Sequence, residues 1–459
     1  MNGYAHKKMK SVFLLLYLIF PSFSFAKLES EKQNAVMTIF VHGTIKPAEF
    51  SLSSLVKVMS DRTDNTLYSR AVHYMRNDPV LFQGHAVQEL GLRPIIMTED
   101  APHKTARTVA QIYDIQNKAL QISDVPQLYY TFGWSGLLSQ TKRYVAAEDL
   151  YHQLTKELKN LEKIHLKPFI RIVSFSHGGN VVLNLSAVQN SDPFVKKPLV
   201  IDELVSISTP IQRETDHLVA DPMFKAVYHL YSKEDNIQML DLFSSQQFFS
   251  KRQFTQRSSF YVPEKLHQIR VRTTRKVKWK DKIKDITAPY QVLDKRRVRL
   301  VHKDPKHTEM WSFKWGAHWY RDSFPLSPLP IMAFAPSIIH TLKTYQPDRR
   351  NITFDIAMTE YGAIIKQRRQ MFKQAVPFVG KEIYSTIMQL TKEQRPKGYT
   401  PEKQEEHVAL ALQKARDDLM KIRKYRRPHS RTLAEYMKRL ELGKFDANTE
   451  IKMRRFAHN

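Results

Sequence analysis

Ser176 lies in the segment whose residue types and spacing point most directly to chemistry. An apolar, β-branched run at residues 169–175 precedes it, and Gly178 and a helical pattern from Asn180 follow it. Small residues two positions before and after a serine permit a tight turn between a strand and a helix, which exposes the hydroxyl above the helix N-terminus. Ser174 stands where such a turn usually has glycine. The pattern indicates a nucleophilic serine.

The turn His42-Gly43-Thr44, at the end of an earlier apolar run, is the second element with chemical potential. Hydrolysis of an ester by a serine develops an oxyanion, which two backbone N–H groups can stabilise. One N–H is expected from His177, the residue after the nucleophile, and the other from Thr44 or Ile45. His177 is therefore interpreted as a backbone donor and not as a base.

Four short motifs together resemble the lipase and esterase branch of the α/β-hydrolase superfamily. They are Val41-His42-Gly43-Thr44, Phe132-Gly133-Trp134-Ser135-Gly136, Ser176-His177-Gly178-Gly179 and Ser208-Thr209-Pro210. The resemblance covers residues 36–345 and implies a doubly wound, mostly parallel sheet with helices on both faces. It also implies that nucleophile, acid and histidine follow one another in chain order, as the mechanism in this fold requires.

The acid is expected after the next-to-last strand of such a sheet. Residues 226–232 form a short apolar run, and the Tyr-Ser-x-x-Asp pattern that ends at Asp235 resembles the acid loop of the family. Asp235 is therefore assigned the role of holding the tautomer of the histidine and stabilising its imidazolium form. Glu234 and Asp241 are neighbours that could take the same role.

Three histidines, His302, His307 and His318, are candidates for the general base. Residues 297–302 alternate like a strand, and the Asp-Pro-Lys-His turn that follows resembles the Pro-x-His loop after the last strand of related hydrolases. His307 is the predicted base. If residues 308–315 were the last strand instead, His318 would hold that role.

Five short apolar runs supply the strands that must position these residues. They lie at residues 36–44, 128–134, 169–175, 199–208 and 226–232, with an amphipathic helical pattern at 141–163. Near-continuous apolar strands separated by helices predict a parallel sheet covered on both faces. The sequence thus predicts an α/β fold with its reactive loops at the carboxyl ends of the strands.

The ends of the chain differ in composition from this central part. Residues 1–26 combine a basic start, a short apolar run and small residues before position 27, which predicts a cleaved signal peptide and export to the periplasm or the exterior. A hydrolase domain is expected over 27–345, with 45–125 as an insertion or cap. Residues 346–459 are expected to form a basic, mainly helical module.

Composition restricts the chemistry that the protein can use. The chain has no cysteine, which excludes thiol nucleophiles, zinc–thiolate sites and iron–sulfur clusters. It has no phosphate loop, dinucleotide motif or H-E-x-x-H pattern, so no cofactor or metal is expected. The net charge of +27 suits an anionic partner such as lipid headgroups, or a solvated basic surface. No specific nucleic-acid partner is predicted.

These observations predict a serine hydrolase that forms an acyl-enzyme on Ser176 and cleaves carboxylic esters, which the resemblance suggests are lipid-like. Two other classes stay open. One is a non-catalytic binding protein with the same fold. The other is a basic protein that associates with anionic membrane surfaces through residues 346–459.

Overall fold

The apolar runs of the sequence form neighbouring strands in one large sheet. The computed structural model describes residues 34–45, 66–78, 80–81, 89–98, 104–121, 124–193, 197–239, 250–278, 289–291, 298–316, 321, 323–357, 362–367, 373–395 and 400–441. Its strands are β1 (Ala35–Val41), β2 (Gly91–Pro94), β3 (Gln127–Gly133), β4 (Pro168–Phe175), β5 (Ile201–Ile207), β6 (Phe224–Tyr231), β7 (Leu266–Lys278), β8 (Pro289–Gln291), β9 (Val298–Lys303), β10 (Asn351–Ala357), β11 (Gly362–Gln367) and β12 (Lys373–Pro377).

Helices connect and cover these strands. They are α1 (Leu67–Arg76), α2 (Lys104–Ala119), α3 (Gln140–Lys163), α4 (His177–Ser191), α5 (His307–Trp311), α6 (Ala335–Tyr345), α7 (Lys381–Glu393) and α8 (Pro401–Glu441). Short 3₁₀ turns lie at Asp216–Ala220, Ile237–Met239, Lys314–Gly316 and Ile331–Phe334. The predicted α/β class, with a large central sheet and helices, is confirmed.

The strand order is β12-β11-β10-β7-β6-β5-β4-β1-β3-β2, with β9 beside β7 and β8 beside β9. The seven strands from β10 to β3 pair in parallel. Antiparallel strands close both edges, β2 at one and β11 and β12 at the other. Parallel pairing directs the carboxyl ends of the central strands to the same side of the sheet.

The register aligns the reactive turns at that side. Ser174 in β4 pairs with Val41 in β1 and with Ser206 in β5. The chain leaves each of these three strands within two residues of the aligned positions. As a result, the turn after β1 and the turn that holds Ser176 lie next to each other.

Side chains alternate between two cores along the central strands. Phe40 and Val173 belong to the core on one face, whereas Ile39, Val41 and Ile172 belong to the core on the other. Helices α2, α6 and α7 contribute to the first core, and α3 and α4 to the second. Because both faces are covered, the strands are apolar on both sides, which explains why they read as continuous apolar runs.

Part of the predicted insertion at 45–125 belongs to the central sheet and its core. Strand β2 pairs with β3 at the edge of the sheet, and α2 packs in the core on one face. These two elements therefore belong to the sheet and its core. Helix α1 instead lies beside the turn after β1, where the hydroxyl of Tyr68 donates to the carbonyl oxygen of Ile45 at 3.3 Å.

The sheet also continues past residue 346, where the sequence predicted a mainly helical module. Strands β10 to β12 lie within residues 351–377 and extend the sheet beyond β7. The helical part of this region begins at Lys381. The boundary expected at 346 therefore does not coincide with the end of the sheet.

Helix α8 packs on α1. Ala411, Leu412 and Ala415 share a small core with Tyr68 and Val72 of α1. In the part of the chain that the structure describes, no helix is both long and apolar enough to cross a membrane. The predicted signal peptide at 1–26 lies outside the described residues.

Candidate active site

Ser176 occupies a strained turn between β4 and α4. Its backbone has φ 50° and ψ −132°, a left-handed φ that a non-glycine residue rarely adopts. Its N–H donates to the carbonyl of Ile207 in β5 at 2.9 Å, and its side chain does not cap the helix. Strain of this kind persists only where the surrounding structure enforces it, and it clusters at functional sites.

Two glycines allow the turn after β1 to touch the turn at Ser176. A Cβ atom added to Gly43 would lie 2.7 Å from the Cβ of Ser176. A Cβ atom on Gly178 would overlap the carbonyl oxygen of His42. No side chain fits at either position without moving backbone, so the close approach requires glycine.

Asp235 and His307 form a buried pair. The Nδ1 atom of His307 lies 2.8 Å from Oδ2 of Asp235, and the N–H of Gln238 donates to Oδ1 of Asp235 at 3.1 Å. Asp235 is fully buried. Burial alone would raise the pKa of Asp235, but the charge and hydrogen bond of His307 outweigh it and hold this pKa below its usual value. Asp235 therefore stays ionised and orients the imidazole.

His307 reaches this position through the unusual path of β9. Thr273 and Thr274 of β7 pair with β10 on one edge and with β9 on the other. Strand β6 pairs with β7 only as far as Tyr231. Strand β9 thus occupies the edge of β7 beyond the end of β6, and the chain that leaves β9 arrives next to Asp235.

Hydrogen bonds and an ion pair hold the loop between β9 and His307 against the loop after β6 and against β7. Arg270 contacts the Asp304 carboxylate at 2.8 Å, and the N–H of Lys233 donates to the same carboxylate at 3.1 Å. The hydroxyl of Ser232 donates to the carbonyl of Pro305. These contacts fix the segment on which His307 sits.

Aromatic packing joins His307 to the nucleophile turn. The ring of Phe175, the residue before Ser176, lies 4.6 Å from the ring of His307 and is stacked on Trp311 at 5.2 Å, centroid to centroid. The hydroxyl of Ser176 makes no hydrogen bond to any residue within the described ranges. The structure thus brings His307 against the turn without a direct bond to Ser176.

The other candidates for acid and base take different positions. His302 lies within β9, opposite Thr274 of β7. Glu234 contacts the guanidinium of Arg321 at 2.7 Å. Asp241 and His318 lie outside the described residues.

The turn after β1 lies against Ser176 and carries a candidate backbone donor. The N–H of Ile45 is used, because it donates to the carbonyl of Gly136 at 2.9 Å. Thr44 makes no backbone hydrogen bond within the described part of the chain, and its buried Oγ1 atom has no partner there either. Thr44 is therefore the candidate donor from this turn, and His177, the first residue of α4, is the other.

Two arginines near these donors were not predicted from the sequence, the buried Arg143 and the partly buried Arg76. Arg143 of α3 contacts the ring of His177, and Arg76 of α1 contacts the ring of His42. Arg143 is spaced three, four and seven residues from buried Ala146, Ala147 and Leu150, and so lies on the apolar face of α3. An arginine on the apolar face of a helix is the sequence feature from which its burial could have been predicted.

The described residues contain no group of three or more His, Asp or Glu side chains that could hold a metal ion. The arrangement consists of an ionised acid, an imidazole and a strained serine near two backbone donors. Comparisons with protein-family models, curated proteins and solved structures found no match to this chain.

Proposed function

We propose that the protein is a serine hydrolase with an α/β-hydrolase fold that cleaves carboxylic esters. The observation that carries the proposal is the hydrogen bond of 2.8 Å between the buried Asp235 and His307, next to a serine with φ 50° between a parallel strand and a helix. Serine, acid and histidine follow β4, β6 and β9, in the chain order that this mechanism uses in such folds.

The mechanism is acyl transfer in two halves. His307 takes the proton of the Ser176 hydroxyl through Nε2 while the serine oxygen attacks the ester carbonyl carbon, and Asp235 stabilises the imidazolium. The N–H groups of Thr44 and His177 hold the oxyanion. The C–O bond then breaks, and the alcohol leaves with the proton from His307.

Water completes the cycle. His307 takes a proton from a water molecule, whose oxygen attacks the acyl-enzyme carbonyl, and Ser176 leaves with the proton that His307 returns. Ser176 makes no hydrogen bond to His307 in the free protein within the described residues. Such bonds are often long before substrate binds, so the pairing is compatible with this role.

The test is hydrolysis of p-nitrophenyl butyrate by the wild type and by Ser176→Ala. We expect the variant to lose roughly 10⁴- to 10⁶-fold in kcat. Ser191→Ala is the matched control, because Ser191 is exposed at the far end of the same helix. Equal activity of wild type and Ser176→Ala would refute the proposal, and a longer p-nitrophenyl ester would measure whether lipid-like acyl chains are preferred.

A further inference from the structure

Two arginines, the buried Arg143 and the partly buried Arg76, contact the two histidines next to the oxyanion donors. Arg143 is 1% exposed; its Nη1 atom lies 3.1 Å from Nδ1 of His177, and its Nη2 atom lies 3.3 Å from Oε1 of Gln212. A guanidinium can only donate hydrogen bonds. Nδ1 of His177 must therefore accept, which leaves the ring neutral with its proton on Nε2.

Arg76 makes the corresponding contact on the other side. Its Nη1 atom lies 2.9 Å from Nε2 of His42, and the N–H of Trp134 donates to the same nitrogen at 3.2 Å. Nδ1 of His42 lies 2.7 Å from the carbonyl oxygen of Gly43, so Nδ1 carries the proton and donates to that oxygen. The ring is stacked on Trp134. His42 is thus fixed at both nitrogens, directly before the turn that ends in Thr44.

We propose that Arg76 and Arg143 are positioning residues of the oxyanion hole. Each holds a neutral histidine in one tautomer, and each histidine belongs to a turn that carries one of the two donors, Thr44 or His177. This inference rests on the proposed function. It assigns the arginines no contact with substrate, since they act through His42 and His177.

The electrostatics agree with this geometry. Burial, and then the charges of Arg143 and His307, lower the pKa of His177 well below its usual value. Arg143 acts on His177 from α3 and His307 acts on it from α5, and Asn180, on the same helix as His177, places its amide 3.5 Å from Nδ1. Burial also lowers the pKa of Arg76 to about 10, so Arg76 stays charged at neutral pH.

The test measures kcat per active site with p-nitrophenyl butyrate, after titration of active sites with a fluorophosphonate. We expect Arg143→Gln and Arg76→Gln to lower kcat per site by about 10- to 10²-fold, with KM changed little, because losing a complete oxyanion donor costs about 10²- to 10³-fold. Lys142→Gln and His73→Gln are the matched controls on the same two helices, and both should keep the wild-type kcat.

The dependence of kcat on pH distinguishes a role of Arg143 in positioning His177 from a role in protein stability alone. In Arg143→Gln the ring of His177 no longer faces a positive charge and takes up a proton more easily, so the acid limb of the kcat profile moves to higher pH. Arg143→Lys keeps the charge and should keep the acid limb near that of the wild type. Unchanged kcat per site and an unchanged acid limb in Arg143→Gln, even with lower thermal stability, would overturn the inference.

A second measurement uses the wild type alone, so it does not require any variant to fold. Nitrogen NMR of the wild type with ¹⁵N-labelled histidine, at about pH 6, should report the proton of His177 on Nε2 and that of His42 on Nδ1. The opposite tautomers would overturn the inference. If the wild type does not react with the fluorophosphonate at Ser176, the proposed function itself is refuted. If the wild type reacts normally and the arginine variants keep the wild-type kcat per site, only the role of the two arginines is refuted.

Discussion

At the scale of single residues, the candidate site combines a strained serine with an ionised acid that has no access to water. A tight turn at Ser176 could be predicted from the sequence, because the small residues Ser174 and Gly178 lie two positions before and after it, between a strand and a helix. The Tyr-Ser-x-x-Asp pattern favoured Asp235, but the adjacent Glu234 stayed an alternative on sequence alone. The structure distinguishes them, since Glu234 contacts Arg321 and Asp235 contacts His307.

This difference gives a residue-level prediction. Asp235→Asn keeps the shape of the side chain but can favour the wrong tautomer of His307, so kcat for p-nitrophenyl butyrate should fall by about 10⁴-fold. Glu234→Gln, one residue away, should change kcat by less than about tenfold. The initial rates of the two purified variants at neutral pH provide the comparison. A similar loss in both variants would contradict the assignment of Asp235.

Among the secondary-structure elements, the five strands that the sequence predicted as apolar runs are covered on both faces. Strands β1, β3, β4, β5 and β6 read as apolar runs because two helical layers cover them. Strands β7 and β10 were missed. Polar or charged residues interrupt the apolar residues of both strands, and the buried pair of Arg272 and Asp355 joins them across the sheet. A charge that is neutralised by a partner in another strand cannot be recognised from one segment alone.

Helix α8 illustrates a second limit, because its partner lies more than 300 residues away in sequence. Asp418 contacts Arg70 at 3.3 Å and also the hydroxyl of Tyr74, and His407 contacts Asp78 at 2.8 Å. The basic composition of the C-terminal region suggested a helical module, but nothing in it identified α1 as the surface on which it packs.

We expect α8 to support the site through α1. Ala415→Asp buries a carboxylate between the two helices, which should weaken their docking by at least about 3 kcal/mol and slow fluorophosphonate labelling several-fold. Lys414→Asp, at the exposed neighbouring position, is the control. Hydrogen exchange of Leu67–Arg76 reports the docking directly. Wild-type protection of this helix in Ala415→Asp would show that α8 does not hold it.

At the scale of the whole molecule, a buried histidine in the central sheet couples stability to pH. His229 in β6 is fully buried; its Nε2 atom donates to the carbonyl of Arg252 at 2.8 Å, and its Nδ1 atom lies 3.3 Å from Oγ of Ser206. Burial lowers its pKa from 6.5 to about 4. The unfolded chain therefore binds a proton more readily than the native protein between these values.

The free energy of unfolding should consequently decrease as the pH falls from 6.5 to 4. The part due to His229 is about 3 kcal/mol at pH 4, because the unfolded chain is then almost fully protonated at this position and the native protein only about half. In His229→Gln this part should be absent. Urea unfolding of both proteins at pH 7 and pH 4 tests the prediction, and equal losses in the two proteins would contradict it.

The central claim is that Ser176 is a nucleophile activated by His307 and Asp235, and its most direct measurement is covalent labelling. The wild type is incubated with a fluorophosphonate, and the modified peptide is identified by mass spectrometry. We predict a single adduct on Ser176 in the wild type, normal labelling of Ser191→Ala, and no labelling of Ser176→Ala. An adduct on another residue, or no adduct on the folded wild type, would contradict the account.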